Sequence, residues 1–261
     1  MLSLGLKIGL GSPRVRDTGF VPSDISNLDI WYAFDELSGS NGDNVTAVSN
    51  KGGAGSNYDL SGISGKIPTL DTSGMGSINS VDFNASTANG FQLDNHYTTT
   101  DKTFTLFVVS KRDSTSDSDS FMSGQTGGNN AFYAYQNVNT IVLKCNGDGN
   151  NTNSHTALNC NNTNNSTVQY AFTTNKEILV VTRDASNDVR VYNQADDYIG
   201  NGTSPSTATD TNFVLDYIGR FATSGTPADG LIGELGIYNK VLSRTEITNL
   251  ITHLKDKWSI S

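Results

Sequence analysis

The residues that could carry acid–base chemistry in this sequence are scarce and poorly placed for it. Glycoside hydrolysis needs two carboxyl groups at a set separation across the sugar bond. Of the four glutamates, Glu246 fits a helix-capping motif, and Glu234 has no acidic residue two or five positions later. Asp35 and Glu36 are adjacent, so they would point to opposite faces of a strand. The sequence therefore predicts no glycosidase of this type.

The histidines and glycines fit no other catalytic arrangement. His96 and His155 fall in predicted loops, and His253 lies off the apolar stripe of a predicted helix, where water would reach it. No G-x-S-x-G or catalytic-cysteine signature accompanies them. The glycine-rich run 124–128 lacks the lysine of a phosphate-binding loop. We therefore predict that the protein is not an enzyme.

Acidic turns raise the question of a calcium ion, which prefers clustered oxygen ligands. Asp113, Asp117 and Asp119 form one such turn, and Asp148 and Asn150 lie in a second. These residue types are common in turns without a metal, because their side chains hydrogen-bond to the nearby backbone. We expect no cofactor and keep calcium as the alternative.

Two cysteines, Cys145 and Cys160, flank an asparagine-rich segment. They are either two separate thiols or a disulfide across the base of a loop, as in proteins that work outside a cell. The sequence leaves both alternatives open. Zinc is not expected, since no C-x-x-C or paired-histidine spacing occurs.

Composition excludes several classes of protein. The chain has 261 residues, a formal charge of −9 and a pI near 4.6. Without a basic patch, direct binding of nucleic acid is not expected. No apolar run is long enough to insert into a membrane as a helix, and the N-terminus lacks a signal-peptide pattern. The length and the absence of an internal linker favour one large domain.

The C-terminal stretch has the clearest secondary-structure signals. Gly230 to Tyr238 is predicted to be a strand in which Leu231, Leu235 and Ile237 share one face at period two. Gly233 would allow close packing against that strand.

A helix is predicted directly after this strand. Ser243 and Glu246 have the spacing of a capping box, and Leu242 and Ile247 have the spacing of a hydrophobic staple. An apolar stripe at helical spacing follows, which comprises Ile247, Leu250, Ile251, Leu254 and Trp258.

The first 20 residues form a separate pattern. Apolar residues alternate with serine, glycine and lysine, and the apolar set is Leu2, Leu4, Leu6, Ile8 and Leu10. This segment is either an added edge strand of the chain's own sandwich or an arm that docks on a neighbouring subunit by strand addition. A glycine-rich strand has weak register control, so an arm of this kind should need a partner groove.

Several segments resemble a known family. About a dozen short predicted strands with regular turn signals fit a β-sandwich. GLIGELGIYNKVLSRTEI, followed by a spaced leucine and KW, resembles the closing strand and terminal helix of the concanavalin A-like lectin/glucanase superfamily. FTLFVVSK and LVVTRDASNDVRVYNQ resemble its central strand and a strand pair. Within the superfamily, the chain is most similar to laminin-G-like (LamG) modules of phage virion proteins and secreted bacterial proteins.

The resemblance covers roughly residues 28–258. It implies an all-β fold, a jelly-roll antiparallel β-sandwich with a short C-terminal helix. The expected division is an extended docking arm at 1–20 and the sandwich at 21–261. Glucanases of this superfamily carry E-x-D-x-x-E on one strand, and this sequence lacks that run.

Two functions are compatible with these features. The first is a structural or adhesive virion protein of a bacteriophage, such as a capsid decoration, head fibre, tail fibre or other tail appendage. Its partners would be other virion proteins, with further copies of itself in an oligomer or lattice. The alternative is a secreted, extracellular lectin module that binds host glycans. The expected location is the virion in the first case, with synthesis in the host cytoplasm.

A sugar site usually combines an aromatic platform with polar side chains from loops. Tyr133 and Tyr135 could supply the platform, and Asn150 and Asn153 the polar groups. The alternative is that both tyrosines are ordinary strand residues.

Overall fold

The computed structural model describes residues 19–114, 119–126, 129–137, 140–145, 155–159, 173–186, 188–196, 198–203, 212–220 and 227–261. For β9–β11 and β14 below, only the backbone is considered. The strands are β1 (Leu28–Ala33), β2 (Ala47–Val48), β3 (Leu60–Gly62), β4 (Thr69–Asp71), β5 (Ser80–Phe83), β6 (Phe91–Thr98), β7 (Phe104–Arg112), β8 (Asp119–Thr126), β9 (Asn129–Asn137), β10 (Thr140–Cys145), β11 (His155–Asn159), β12 (Lys176–Arg183), β13 (Asp188–Asn193), β14 (Tyr198–Thr203), β15 (Val214–Ile218) and β16 (Gly230–Tyr238). One α-helix, α1 (Arg244–Trp258), follows the last strand. Short 3-10 helices span Pro22–Asp24, Phe34–Glu36 and Ser56–Tyr58.

The strands form two eight-stranded antiparallel sheets. The first has the order β14-β13-β12-β7-β16-β5-β4, and β1 pairs with β16 beside β5. The second has the order β11-β10-β9-β8-β15-β6-β3-β2. Neighbours in the sheets are often distant in sequence, as in a jelly roll. This confirms the predicted all-β sandwich with a short C-terminal helix.

The alternation of side chains on β7 shows how the layers are built. Phe104, Leu106 and Val108 belong to the core between the two sheets. Phe107 and Val109 belong to a second apolar cluster, on the outer side of the first sheet. Both faces of β7 are therefore buried, which confirms its predicted central position.

Helix α1 covers the outer face of the first sheet, and its predicted apolar stripe is buried there. The capping box is confirmed: Oγ of Ser243 accepts a hydrogen bond from the Glu246 N–H at 3.3 Å. In return, Oε2 of Glu246 accepts one from the Ser243 N–H at 2.8 Å. The predicted staple residues Leu242 and Ile247 both lie in the outer apolar cluster.

A β-bulge at Gly233 overturns the predicted facing of β16. The pairing with β7 shifts between Ile232 and Glu234, so Gly233 is an extra residue in the ladder. Because side chains alternate, one extra residue exchanges the two faces of the strand. Ile232 therefore shares the inner core with Leu235 and Ile237, whereas Leu231 lies in the outer cluster under α1.

Two predicted loops contain strands. His96 lies within β6 and His155 begins β11. Asp35 and Glu36 lie in a 3-10 helix and not in a strand. No helix in the described parts of the chain is both long and apolar enough to span a membrane.

One of the two cysteines lies in the described part of the chain. Cys145 ends β10, and Thr140 at its other end is in register with Asn159. Cys160 lies outside the described residues, so the two alternatives for this pair of cysteines stay predictions.

Candidate functional site

The outer side of the second sheet carries an exposed set of hydrogen-bonding side chains, which we call the polar face. It consists of Ser61 on β3, Gln92, Asp94 and His96 on β6, and Asp216 and Tyr217 on β15. On β6 the apolar residues Phe91, Leu93 and Tyr97 are buried, while the polar residues between them are exposed. One face of β6 is therefore buried in the core, and its other face is exposed to solvent.

Backbone register aligns part of this face in one row across the sheet. Ser61 is in register with Gln92, and Gln92 with Tyr217. Tyr217 is in register with Ser123, which pairs in turn with Tyr133. Residues in register share a face of a sheet. Half-buried Tyr217 thus lies beside the exposed Gln92, with the exposed Ser61 next in the row. The backbone pairing continues the row to Tyr133 on β9.

Two hydrogen bonds fix the acidic groups of the polar face. Nδ1 of His96 lies 2.7 Å from Oδ1 of Asp216, and these side chains are 48% and 15% exposed. Oγ of Ser61 donates to Oδ1 of Asp94 at 2.7 Å. Asp94 has further acceptor positions, because an ionised carboxyl group offers about four lone-pair directions. The arrangement can therefore accept hydrogen bonds from hydroxyl groups without moving its side chains.

Glu234 is fully buried and acts as an anchor for α1. Its Oε1 accepts from Nε1 of Trp31 at 2.7 Å, and its Oε2 accepts from Nε1 of Trp258 at 3.0 Å. Nζ of Lys257 lies 2.7 Å from the same Oε2 and 2.9 Å from Oδ1 of Asp35. A carboxylate that is enclosed and already held by three donors is not available to a substrate.

The other three glutamates are also engaged in local structure. Glu36 forms an exposed ion pair with Lys51. Glu177 is buried and accepts from the N–H of Thr173 at 2.8 Å. Glu246 completes the helix cap and also binds Nζ of Lys240 at 2.7 Å. The glutamates therefore supply no pair of open carboxylates.

Two of the four predicted glycan-binding residues lie in the described part of the chain. Tyr133 and Tyr135 lie on β9, in register with Ser123 and Ser120, respectively. Asn150 and Asn153 lie outside the described residues, as do Asp117, Asp148 and the arm residues Leu2, Leu4, Leu6, Ile8 and Leu10. Among the described residues, no group of three or more His, Cys, Asp or Glu side chains could hold a metal ion.

The polar face was not predicted, because His96 was assigned to a loop and not to a strand. Once the strand runs to Thr98, the apolar positions Phe91, Leu93 and Tyr97 reveal polar positions on the other side. The pairing of His96 with Asp216 had no sequence signal, since 120 positions separate them. The predicted solvation of His253 also needs correction: it is half-buried and its ring lies 5.8 Å from that of Phe20.

Solved structures with a similar fold include several from carbohydrate-related and toxin proteins. Domain 4 of AbnA, an extracellular arabinanase from Geobacillus stearothermophilus, in complex with arabinotriose, has a TM-score of 0.58 and 15% identity. The match covers 86% of this chain and 98% of that domain. The receptor-binding domain of botulinum neurotoxin mosaic serotype C/D has a TM-score of 0.55 and 10% identity, covering 87% and 51%.

Trypanosoma rangeli sialidase in complex with sialic acid has a TM-score of 0.56 and 14% identity. The match covers 90% of this chain and 34% of the sialidase, so the chain spans about a third of that enzyme's length. At these identities the likeness concerns the fold alone. The sequence matches no curated protein.

Residues 83–248, well over half of the chain, match the family described as the concanavalin A-like lectin/glucanases superfamily. This segment runs from the end of β5 into α1 and includes strands of both sheets. The chain belongs to the concanavalin A-like lectin/glucanases superfamily.

Proposed function

We propose that the chain is a non-catalytic carbohydrate-binding module and that the polar face is its binding surface. The observation that carries this proposal is the row in which Tyr217 stands beside exposed Gln92 and Ser61 on an open sheet. A tyrosine ring offers an apolar platform to a sugar ring, and its neighbours offer donors and acceptors to the hydroxyl groups.

The charges of the polar face indicate the class of sugar. Asp94 and Asp216 both lie there, and His96 is paired with the second of them. Carboxylates accept hydrogen bonds from hydroxyl groups but repel anionic ligands. We therefore infer a neutral, hydroxyl-rich saccharide as the ligand. The arabinanase domain that matches over nearly its whole length was solved with arabinotriose, which lends support to a ligand of this class.

A glycan array, read with and without calcium, followed by titration calorimetry of the binders, tests this function. Tyr217→Ala and Asp94→Asn should each weaken binding about tenfold, because each removes a contact of the order of 1–2 kcal/mol. Asp256→Asn is the matched control, since this carboxylate is exposed on α1, on the opposite side of the sandwich. An array without binders, or equal binding by all variants, would exclude the polar face as a glycan site.

We further propose that this module is carried on a bacteriophage particle, as a capsid decoration, head fibre or tail appendage. The supporting feature is the alternating pattern of apolar residues from Leu2 to Leu10. This segment would anchor the module by adding a strand to another virion protein. A secreted lectin without such an anchor is the alternative.

A deletion that preserves the sandwich tests the anchor. Phe20 packs on the outer apolar cluster, so residues 1–18 should be removed and Phe20 kept. The shortened protein should keep the circular dichroism and Tm of the full chain. Only the full chain should sediment with phage particles formed in its presence. Equal sedimentation of both forms would show that the segment is not an anchor.

A further inference from the structure

A second candidate site lies on the other side of the sandwich, just beyond the C-terminal end of α1. It is a depression of about 730 Å³, which we call the lysine depression. Its lining includes Lys111, Lys176, Ser73, Thr173, Asn175 and Ser259, together with the buried Glu177, which accepts a hydrogen bond from the N–H of Thr173. It shares no residue with the polar face.

The position of the two lysines follows from strand alternation. Phe107 and Val109 on β7 lie beneath α1, and Lys111 is the next residue on that face. On β12, Lys176 precedes Ile178 on the same face. The helix ends at Trp258, whose carbonyl oxygen accepts a hydrogen bond from Nζ of Lys176. On this face of the sheet, the side chains change from apolar to cationic at the point where α1 ends.

The two lysines are opposite each other on neighbouring strands. Lys111 and Lys176 are in register, and like charges placed directly opposite destabilise a sheet. Among the described residues, no carboxylate lies within 4.0 Å of either ammonium group. Acidic residues outnumber basic ones by 26 to 17 in this chain, so two cations left without such a partner stand out.

Backbone contacts hold both ammonium groups in place. Nζ of Lys111 donates to the carbonyl oxygen of Gly74 at 3.2 Å, and Nζ of Lys176 donates to that of Trp258. An ammonium group has three donors, so each lysine has two more to offer. The groups are thus oriented by one bond each and able to bind a ligand with the rest.

The wall beside Lys176 includes a glycine. Gly76 has a φ of +81°, a conformation that side-chain-bearing residues rarely adopt. A β-carbon at this position would stand 3.5 Å from Nζ of Lys176. Gly76 therefore borders the ammonium group with backbone atoms only, and both residues line the depression.

We propose that the lysine depression binds a sugar that carries an oxyanion, either a carboxylate, as in a uronic acid, or a phosphate. An oxyanion between Lys111 and Lys176 would relieve their repulsion. Ser73, Asn175 and Ser259 on the rim offer hydrogen bonds to the hydroxyl groups of the ring. A depression of this volume suits a ligand of one or a few rings. This site is independent of the proposed binding at the polar face.

Calorimetric titration with three probes that share one sugar ring tests the proposal: glucose, glucuronic acid and glucose 6-phosphate. At least one of the two anionic probes should bind saturably, and more weakly as salt rises. Glucose should not bind at this site. The double variant Lys111→Gln/Lys176→Gln should lose affinity at least about tenfold, as expected when a favourable charge contact is removed.

Three controls separate this site from other causes. Lys255→Gln removes a lysine of α1 that does not line the depression, and it should bind the anionic probe as the unchanged protein does. Tyr217→Ala should also bind it normally, because that residue belongs to the polar face. Lys111→Gln alone leaves the bond from Lys176 to the helix end intact, so it tests the charge without disturbing α1.

Preference for glucuronic acid would identify the ligand class as uronic acids, and preference for glucose 6-phosphate as sugar phosphates. The proposal is wrong if neither anionic probe binds to protein with native circular dichroism. It is also wrong if Tyr217→Ala, which lacks the tyrosine of the polar face, binds glucose as tightly as the anionic probes, or if the double variant and Lys111→Gln keep full affinity for those probes.

Discussion

The ammonium group of Lys257 lies 2.7 Å from Oε2 of Glu234, whose side chain is fully buried beneath α1. Burial acts to lower the pKa of Lys257, but the nearby charges of Glu234 and Asp35 outweigh it and raise the pKa above its ordinary value. Lys257 therefore stays protonated in a largely enclosed site. The contact between Lys257 and Glu234 links the last turn of α1 to β16, which is distant in sequence but adjacent in space.

Replacing Glu234 with glutamine should strongly destabilise the protein. Lys257 would lose its main counter-charge in a buried site, and breaking such a pair costs about 3–5 kcal/mol. Urea unfolding followed by fluorescence measures the change. Glu36→Gln is the control, because that residue is 57% exposed in its pair with Lys51. The control should cost less than about 1 kcal/mol. Similar losses for both variants would contradict an anchoring role for Glu234.

Adding one methyl group at Gly233 should loosen the helix. A β-carbon at this position would stand 2.5 Å from Cη2 of Trp258, which is itself fully buried. Gly233→Ala should therefore cost about 1–3 kcal/mol, as is usual for overpacking. Thermal unfolding and the near-ultraviolet circular dichroism of Trp258 report it. Gly53→Ala, at an exposed position with no close side-chain neighbour, should leave both measurements nearly unchanged.

Loss of the helix cap should have a smaller effect. Ser243→Ala removes the acceptor of the Glu246 N–H, which typically costs about 1 kcal/mol. Asn249→Ala, at an exposed position inside α1, should be neutral or slightly stabilising, because alanine has the higher helix propensity. Chemical unfolding of the two variants compares them directly. A neutral Ser243→Ala would mean that packing alone sets where α1 begins.

Asp82 should make stability depend on pH between about 4 and 6. Burial, and then the carboxylates of Asp113, Asp71 and Asp229, raise the pKa of Asp82 from 3.8 to about 6. The folded protein therefore binds more protons than the unfolded chain in this range. The contribution of Asp82 to stability falls as the pH rises through the range and is constant above it.

Asp82→Asn should therefore stabilise the protein at pH 7.5 and have little effect at pH 3.5. For a fully buried carboxyl group, a pKa raised from 3.8 to about 6 would correspond to about 3 kcal/mol of stability. Solvent screening at this partly exposed position reduces the expected gain to about 1 kcal/mol. Urea unfolding at both pH values measures it, with exposed Asp256→Asn as the control. An equal effect of Asp82→Asn at both pH values would rule out this carboxylate as the cause.

The local features of the chain could be predicted from its sequence. The capping box of Ser243 and Glu246 and the apolar stripe of α1 depend on residues three or four positions apart. Apolar residues on both faces of the predicted strand Thr103–Ser110 likewise indicated a central strand. These patterns act over one turn or one strand, so the sequence by itself determined the fold class and its closing strand–helix unit.

The remaining features depend on contacts between distant parts of the chain. The bulge at Gly233 exists because Trp258 and the ladder with β7 meet there, and it exchanges the faces of Leu231 and Ile232. His96 meets Asp216 only through the pairing of β6 with β15. Strand order in a sandwich is set by packing of whole sheets and leaves no periodic trace in the sequence. For that reason only the tertiary structure decided which polar side chains assemble into the polar face and the lysine depression.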